Sequence, residues 1–275
     1  MVFPKTSVSC KLCPSRHISI FQELEPNSVE KLDRSKTVHF YKKGQIIFLE
    51  GHPAYGLYCI SQGKVKIYCT TPDGKRHILR IADKGDPVGH LAVFSDQSYA
   101  ATAEALEDTT ICFIDRNLIF PALSNERDIS WEIVRKLSRD LIFAHQETTR
   151  MAHHSVTERV AGLLLLLKEK YGKSLANEIW IDIQLSRDDL ADLAGTSVET
   201  LVRTLTSFRD DGLIKTQKRQ TIILDAARLS EIAGLTDYQQ KFTSRHLPIH
   251  HHLLLKEFEL VYLAMQHTIL HYGQS

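Results

Sequence analysis

The stretch Leu185-Ser186-Arg187-Asp188-Asp189-Leu190-Ala191-Asp192-Leu193-Ala194-Gly195-Thr196-Ser197-Val198-Glu199-Thr200-Leu201-Val202-Arg203 decides the reading of this chain. It reads as a helix, a glycine turn and a second helix. Leu190, Leu193 and Ala194 give the first helix one apolar face. Ala191 is small enough to let two helices approach closely. Gly195 falls where the chain must turn, and glycine takes a left-handed conformation without a Cβ clash. Thr196 or Ser197 can cap the next helix by accepting a hydrogen bond from a free N–H. Leu201, Leu205 and Phe208 share one inward face, so Val198, Glu199, Thr200, Val202 and Arg203 include the outward positions. This is the layout of a helix-turn-helix whose second helix enters the DNA major groove near its N-terminus.

An αα-hairpin in any helical domain could show the same spacing, and the residues C-terminal to it separate the two. After Gly212-Leu213-Ile214 comes the polar, basic turn Lys215-Thr216-Gln217-Lys218-Arg219-Gln220, then the β-branched run Thr221-Ile222-Ile223-Leu224. A hairpin behind a recognition helix is a wing, and Lys218 and Arg219 at its tip suit phosphate contacts. The candidate DNA-binding residues are Arg187, Ser197, Val198, Glu199, Thr200, Arg203, Lys218 and Arg219.

A chain of 275 residues with 43% hydrophobic and 24% charged content is of globular, multi-domain composition. Its formal net charge is only +1, so attraction to nucleic acid must come from a local surface. No apolar run approaches the ~20 residues that span a bilayer. Leu163 to Leu167 is a short leucine run that reads as core. Lys5, Lys11 and Arg16 are not followed by the apolar stretch of a signal peptide, so a cytoplasmic protein without a membrane partner is expected. Five cysteines in such a chain argue against a disulfide framework. No glycine-rich phosphate loop, nucleophile elbow or His-Glu-x-x-His pair is present, so no enzyme is expected.

The pattern changes along the chain. Residues 1–20 form a cysteine-bearing segment. Residues 21–35 read as a helix through Phe21, Leu24, Val29 and Leu32. Val38 to Asp115 alternates in short strands between Gly44, Gly51, Gly63, Gly74, Gly85 and Gly89, as in a small β-roll or barrel. The sensor domain is placed at 21–125. Over 126–152, Val134, Leu137, Leu141, Ala144, Thr148 and Met151 follow heptad spacing, which predicts the seam of a homodimer. Packing on its own domain would explain one apolar face as well. Thr157 to Lys170 reads as another helix and Ile179 to Ile183 as a strand, giving a DNA-binding domain over 153–226. Residues 227–275 are an extension with His250, His251 and His252 adjacent, and with an amphipathic helix over Leu253 to Leu270. There His267 and His271 share a face. The reading is a packing helix, with no residues evident to complete a metal site.

Strand-rich roll, long helix and winged helix-turn-helix, in that order over roughly residues 10–226, resemble the CRP/FNR family of bacterial transcription regulators. Tyr41-Lys42-Lys43-Gly44-Gln45-Ile46-Ile47-Phe48 and Leu57-Tyr58-Cys59-Ile60-Ser61-Gln62-Gly63-Lys64-Val65-Lys66 look like the family's strand-turn repeats. Ser197 to Arg203 looks like its recognition helix. The resemblance implies an α+β fold: an N-terminal cyclic-nucleotide-binding-like β-roll, a long dimerisation helix and a C-terminal winged helix-turn-helix. It also implies a dimer on palindromic duplex DNA with TGA-like half-sites, read by Glu199 and Arg203, and contact with RNA polymerase. A small-molecule or protein-interaction module of the same fold, without specific DNA binding, is the alternative. It would show a disrupted recognition helix or wing, and both look intact here.

Cyclic-nucleotide-binding relatives carry a Gly-Glu-Leu and then an Arg-Ser/Thr-Ala. Here the matching stretches read Gly89-His90-Leu91 and Tyr99-Ala100-Ala101. A buried phosphate without its arginine would be an unpaired charge, which argues against cyclic AMP or GMP. The FNR branch holds a [4Fe–4S] cluster through N-terminal cysteines and one cysteine of the roll. Cys10-Lys11-Leu12-Cys13 resembles the N-terminal group, and Cys112 falls at the roll position. The third N-terminal cysteine is replaced by Ser19, so the resemblance leaves a fourth ligand to His17, a carboxylate or an exogenous group. Cys10, Cys13 and Cys112 are thus metal candidates. A single Cys-x-x-Cys also fits zinc or a dithiol pair, or plain reduced thiols. Cys59 and Cys69 sit in alternating strand patterns and read as core packing.

Overall fold

The computed structural model describes residues 9–125, 127–175, 178–217 and 220–234. Lys218 and Arg219, the histidines at 250–252, 267 and 271, and the helix expected over Leu253 to Leu270 lie outside them. Among the described residues no helix is long and apolar enough to cross a membrane.

A 3-10 turn at Arg16–Ile18 precedes α1 (Pro26–Ser35). The helix expected from residue 21 therefore starts later. Pro26 occupies its first turn, where a missing N–H removes no helical bond. Phe21 and Leu24 are buried ahead of the helix, in the connecting turn.

The roll contains β1 (Thr37–Tyr41), β2 (Ile46–Phe48), β3 (Gly56–Gln62), β4 (Val65–Thr70), β5 (Arg76–Ala82), β6 (Pro87–Val88), α2 (His90–Ser95), β7 (Thr102–Ala105) and β8 (Thr109–Asp115). Two four-stranded antiparallel sheets face each other, ordered β1-β8-β3-β6 and β2-β7-β4-β5. Leu57 and Ile114 pair on one face of the β3–β8 ribbon and Ile60 and Ile111 on the other, and all four are buried with Val65 and Val88, so this ribbon is covered on both faces.

The chain then runs through α3 (Arg116–Asn125) into α4 (Arg127–His153), the long helix expected over 126–152. One side of α4 closes the roll, with Ile129 and Ile133 buried in the roll's core. Leu137 is partly buried against the same core. Trp131, Val134, Leu141 and Ile142 are exposed, as are Ala144 and Thr148. The apolar stripe is therefore divided. Leu137 faces the roll, and Met151 lies beside Gly195, its Sδ 2.9 Å from where a Cβ there would sit.

The winged helix comprises α5 (Val156–Tyr171), β9 (Gly172–Leu175), β10 (Glu178–Ile181), α6 (Arg187–Ala194), α7 (Val198–Asp210), β11 (Ile214–Gln217), β12 (Gln220–Ile223) and α8 (Ala226–Ile232). Its sheet is ordered β11-β12-β10-β9. Ser155 and Glu158 form a reciprocal capping box that starts α5. Leu163, Leu164 and Leu167 are buried, as a core run requires. Leu229 on α8 is fully buried beside α5.

Roll and winged helix meet through β5 and α6. Lys66 is buried and lies 3.1 Å from Glu104 of the roll and 2.8 Å from Asp189 of α6. His77 Nδ1 lies 2.9 Å from the Asp192 carbonyl, and Tyr171 donates to Asp83 at 2.7 Å.

Candidate nucleic-acid interface

The reading head is built from caps inward. Ser186 accepts from Asp189 N–H at 3.0 Å while Asp189 accepts from Ser186 N–H at 3.1 Å, which closes a capping box on α6. The helix ends at Gly195, whose φ of 60° is the left-handed value the turn needs. Ser197, not Thr196, caps α7, accepting from Thr200 N–H at 3.2 Å. Leu201, Leu205 and Phe208 are buried and fix the roll of α7 about its own axis. With that face inward, Val198, Glu199, Val202 and Arg203 are exposed.

Glu199 and Arg203 are one turn apart and share the outward face. Arg203 makes a 3.3 Å bond to the Thr200 hydroxyl and has no carboxylate partner among the described residues. Its guanidinium is available to accept a new partner. Arg187 opens α6 and is half-buried. Behind the head, β11 and β12 pair through Gln217 and Gln220, which gives the hairpin of a wing.

One structural residue escaped the sequence reading. Arg159 on α5 donates to the carbonyls of Ala194 at 2.9 Å, Gly195 at 3.1 Å and His154 at 2.8 Å. It satisfies the orphan carbonyls at the end of α6 and favours that helix's negative end. Nothing local in sequence marks it, because its partners lie in another helix.

The cysteines form a second group. Cys10 N–H donates to Asp33 at 2.7 Å, and Ser15 donates to the Ser61 carbonyl at 2.6 Å. Cys13 Sγ lies 3.9 Å from Ser61 Oγ. Gly85 accommodates this segment, because a Cβ there would stand 2.7 Å from Ile18. Cys10 is thereby tied to α1 through Asp33 and Cys13 stands beside Ser61 of β3, while Cys112 is on β8. Burial pushes the Cys10 thiol up and the Cys112 thiol up to about 11. Among the described residues no three His, Cys, Asp or Glu side chains stand together as a ready site for one metal ion.

In the Gly89-His90-Leu91 stretch, His90 is buried and its Nε2 lies 2.9 Å from Asp140 of α4. Lys136 also pairs with Asp140, and Arg80 donates to the Pro87 carbonyl at 3.1 Å. Tyr99 is committed to the Gly56 carbonyl at 2.8 Å.

Residues 38–126 match the family described as Cyclic nucleotide-binding domain, and residues 158–232 match the Crp-like helix-turn-helix domain. An anaerobic regulatory protein of Bacillus subtilis (strain 168) is 30% identical over 196 residues, covering 71% of this chain and 82% of its own. The chain belongs to the CRP/FNR family. A CRP-like cAMP-activated global transcriptional regulator of Mycobacterium tuberculosis (strain ATCC 25618 / H37Rv) is 28% identical over 214 residues, 78% of this chain and 96% of that one. The structure of FixK2 from Bradyrhizobium japonicum superposes with a TM-score of 0.63 at 26% identity, covering 72% of this chain and 96% of FixK2. As a CRP/FNR member the chain is a DNA-binding transcription regulator and not an enzyme.

Proposed function

We propose that this CRP/FNR regulator acts in the cytoplasm as a homodimer on palindromic DNA with TGA-like half-sites, and works with RNA polymerase there. The observation that carries the reading is the outward face of α7: Glu199 and Arg203 are exposed on a capped, core-anchored helix. Glu199 can accept from cytosine N4, and Arg203 can donate two bonds to guanine O6 and N7. Ser197, Thr200, Arg187 and the wing residues Lys218 and Arg219 serve phosphate positioning, with Val198 beside the outer bases. The exposed stripe Val134, Leu141, Ala144 and Thr148, extended by Trp131 and Ile142, supplies the dimer seam. Leu137 and Met151 support it from behind.

The signal is not a cyclic nucleotide. The mycobacterial relative is cAMP-activated by name, but here Gly89-His90-Leu91 offers no carboxylate and Tyr99-Ala100-Ala101 no cation. We assign sensing to cysteines of the N-terminal segment and the roll, with Cys10, Cys13 and Cys112 as ligands of an iron–sulfur cluster. A binding titration on a duplex with two TGA-type half-sites tests the DNA reading. Arg203→Ala should lose about 1–3 kcal/mol at the cognate guanine and relax preference there. An unchanged preference would remove Arg203 from base readout.

A further inference from the structure

The outward face of α7 carries two rows of side chains. Glu199 and Arg203 form a polar row. Val198 and Val202, also one turn apart, form an apolar row beside it. Val198 is 38% exposed and Val202 44%. Among the described residues no other large apolar side chain on α5, α6, α7 or α8 is exposed. Single exposed valines are ordinary on a protein surface, but this pair sits where they do nothing for the fold. Valine is a weaker helix former than alanine or the long polar residues. Leu201, Leu205 and Phe208 anchor α7 by another face, so neither valine is free to turn into the core.

What they suit is a contact made outside the chain. A valine in a helix keeps nearly one rotamer, so its methyl groups are placed before a partner arrives and little side-chain entropy is lost on contact. Residues 158–232 match the Crp-like helix-turn-helix domain, so the partner that α7 meets is duplex DNA. Of the groups that base pairs present in the major groove, the thymine C5-methyl is the apolar one, and the rest are hydrogen-bond donors and acceptors. A cytosine or adenine amino group pressed against Val202 would lose its water and gain no partner, which disfavours those bases there.

We propose that Val202 and Val198 select thymine by its methyl group, beside the bases taken by Glu199 and Arg203. The assignment rests on α7 being the base-reading helix and adds a second kind of specificity to it. The polar row selects by hydrogen bonds to guanine and cytosine. The apolar row selects by burying methyl groups and by leaving amino groups unpaired.

The test is equilibrium binding of the full chain to a duplex with two TGA-type half-sites, in which each thymine is replaced in turn by uracil. Uracil keeps the base pair and every hydrogen-bonding group of thymine and lacks only the methyl. Wild type should bind about fourfold more weakly for each methyl lost against a valine, the contribution of one buried methyl group. Val202→Ala should bind the thymine duplex more weakly and lose the response to uracil at its own position, while keeping the response at the position facing Val198. Val198→Ala should do the reverse. Alanine is the better helix former, so weaker binding by either variant does not come from a weakened helix. A wild type indifferent to uracil at every position, or valine variants that respond as wild type does, would overturn the assignment. If Arg203→Ala still relaxed the guanine preference, base reading by α7 would stand without it. A wild-type chain that binds this duplex no better than a random one would overturn that reading, and the assignment with it.

Discussion

His90 shows how one buried side chain links the roll to the long helix. Its Nε2–H donates to Asp140, and its Nδ1 is buried without a hydrogen-bond partner. A bare acceptor of this kind costs about 1–3 kcal/mol. Burial is the main force lowering the His90 pKa, and the nearby Arg80 and Lys136 lower it further, against the pull of Asp140. Asp86 completes the charged surroundings through Lys136. The folded protein thus binds this proton less readily than the unfolded chain, where histidine titrates near about 6.5. Its contribution is intact above that pH and falls as pH drops below it. Asp140 is held in the opposite sense, with its hydrogen bonds and ion pair keeping it charged well below the usual range, so its stabilisation is lost only in stronger acid. His90→Gln keeps a donor toward Asp140 and removes the titration. Its unfolding free energy should depend less on pH between 7.5 and 5.5 than that of wild type. The difference in slope is at most about 1.4 kcal/mol per pH unit for one proton. Equal slopes in denaturant titrations would show that His90 does not titrate there.

At the level of elements, the apolar stripe of α4 is divided between the roll and an exposed side. Leu137 packs partly on the roll, whereas Leu141 is 56% exposed in the single chain. Leu141→Glu should therefore leave the chain folded and abolish the proposed dimer, since the two charges would face each other across a twofold axis. Each buried leucine withdrawn removes roughly 1.5–3 kcal/mol. Leu137→Glu should instead lower the melting temperature of the roll. Sedimentation at about 1 µM, where a dimer held by at least about 8 kcal/mol stays assembled, reads the first effect. A dimeric Leu141→Glu would place the interface elsewhere. The heptad spacing alone could not separate these destinations, because packing on a roll and packing on a partner impose the same period. The helix-turn-helix was legible because its caps, turn glycine and inward leucines are all local. β9 was not, because all four of its residues are exposed and no alternation marks it. Arg159 was missed for a related reason. Its partners are fixed by helix packing, not by neighbours in sequence.

Across the molecule, the docking of α6 on the roll sets how the reading head is aimed. The outward face of α7 stays exposed while α6 is held by the roll, so docking governs orientation and not access. Orientation matters in a dimer, whose two heads must meet half-sites about 34–36 Å apart. The hold centres on Lys66, which lies between Glu104 and Asp189 with a side chain 9% exposed. Arg76 adds a weaker contact to Asp192 at 3.5 Å, and Lys170 pairs with Asp83 at 2.5 Å. Removing one member of a buried ion pair costs about 3–5 kcal/mol, because the remaining charge is left uncompensated. Lys66→Met leaves two carboxylates facing each other, and undocking α6 is the cheapest way to hydrate Asp189. Hydrogen exchange should then quicken in β5 and α6 while β10 and β12, within the winged helix, keep their protection. Affinity for a palindromic duplex should fall more than affinity for a single half-site, because the loss is in the relative aim of two heads. Uniformly faster exchange would instead mean that Lys66 stabilises the whole fold, and an equal loss on both duplexes would mean that docking does not set the aim.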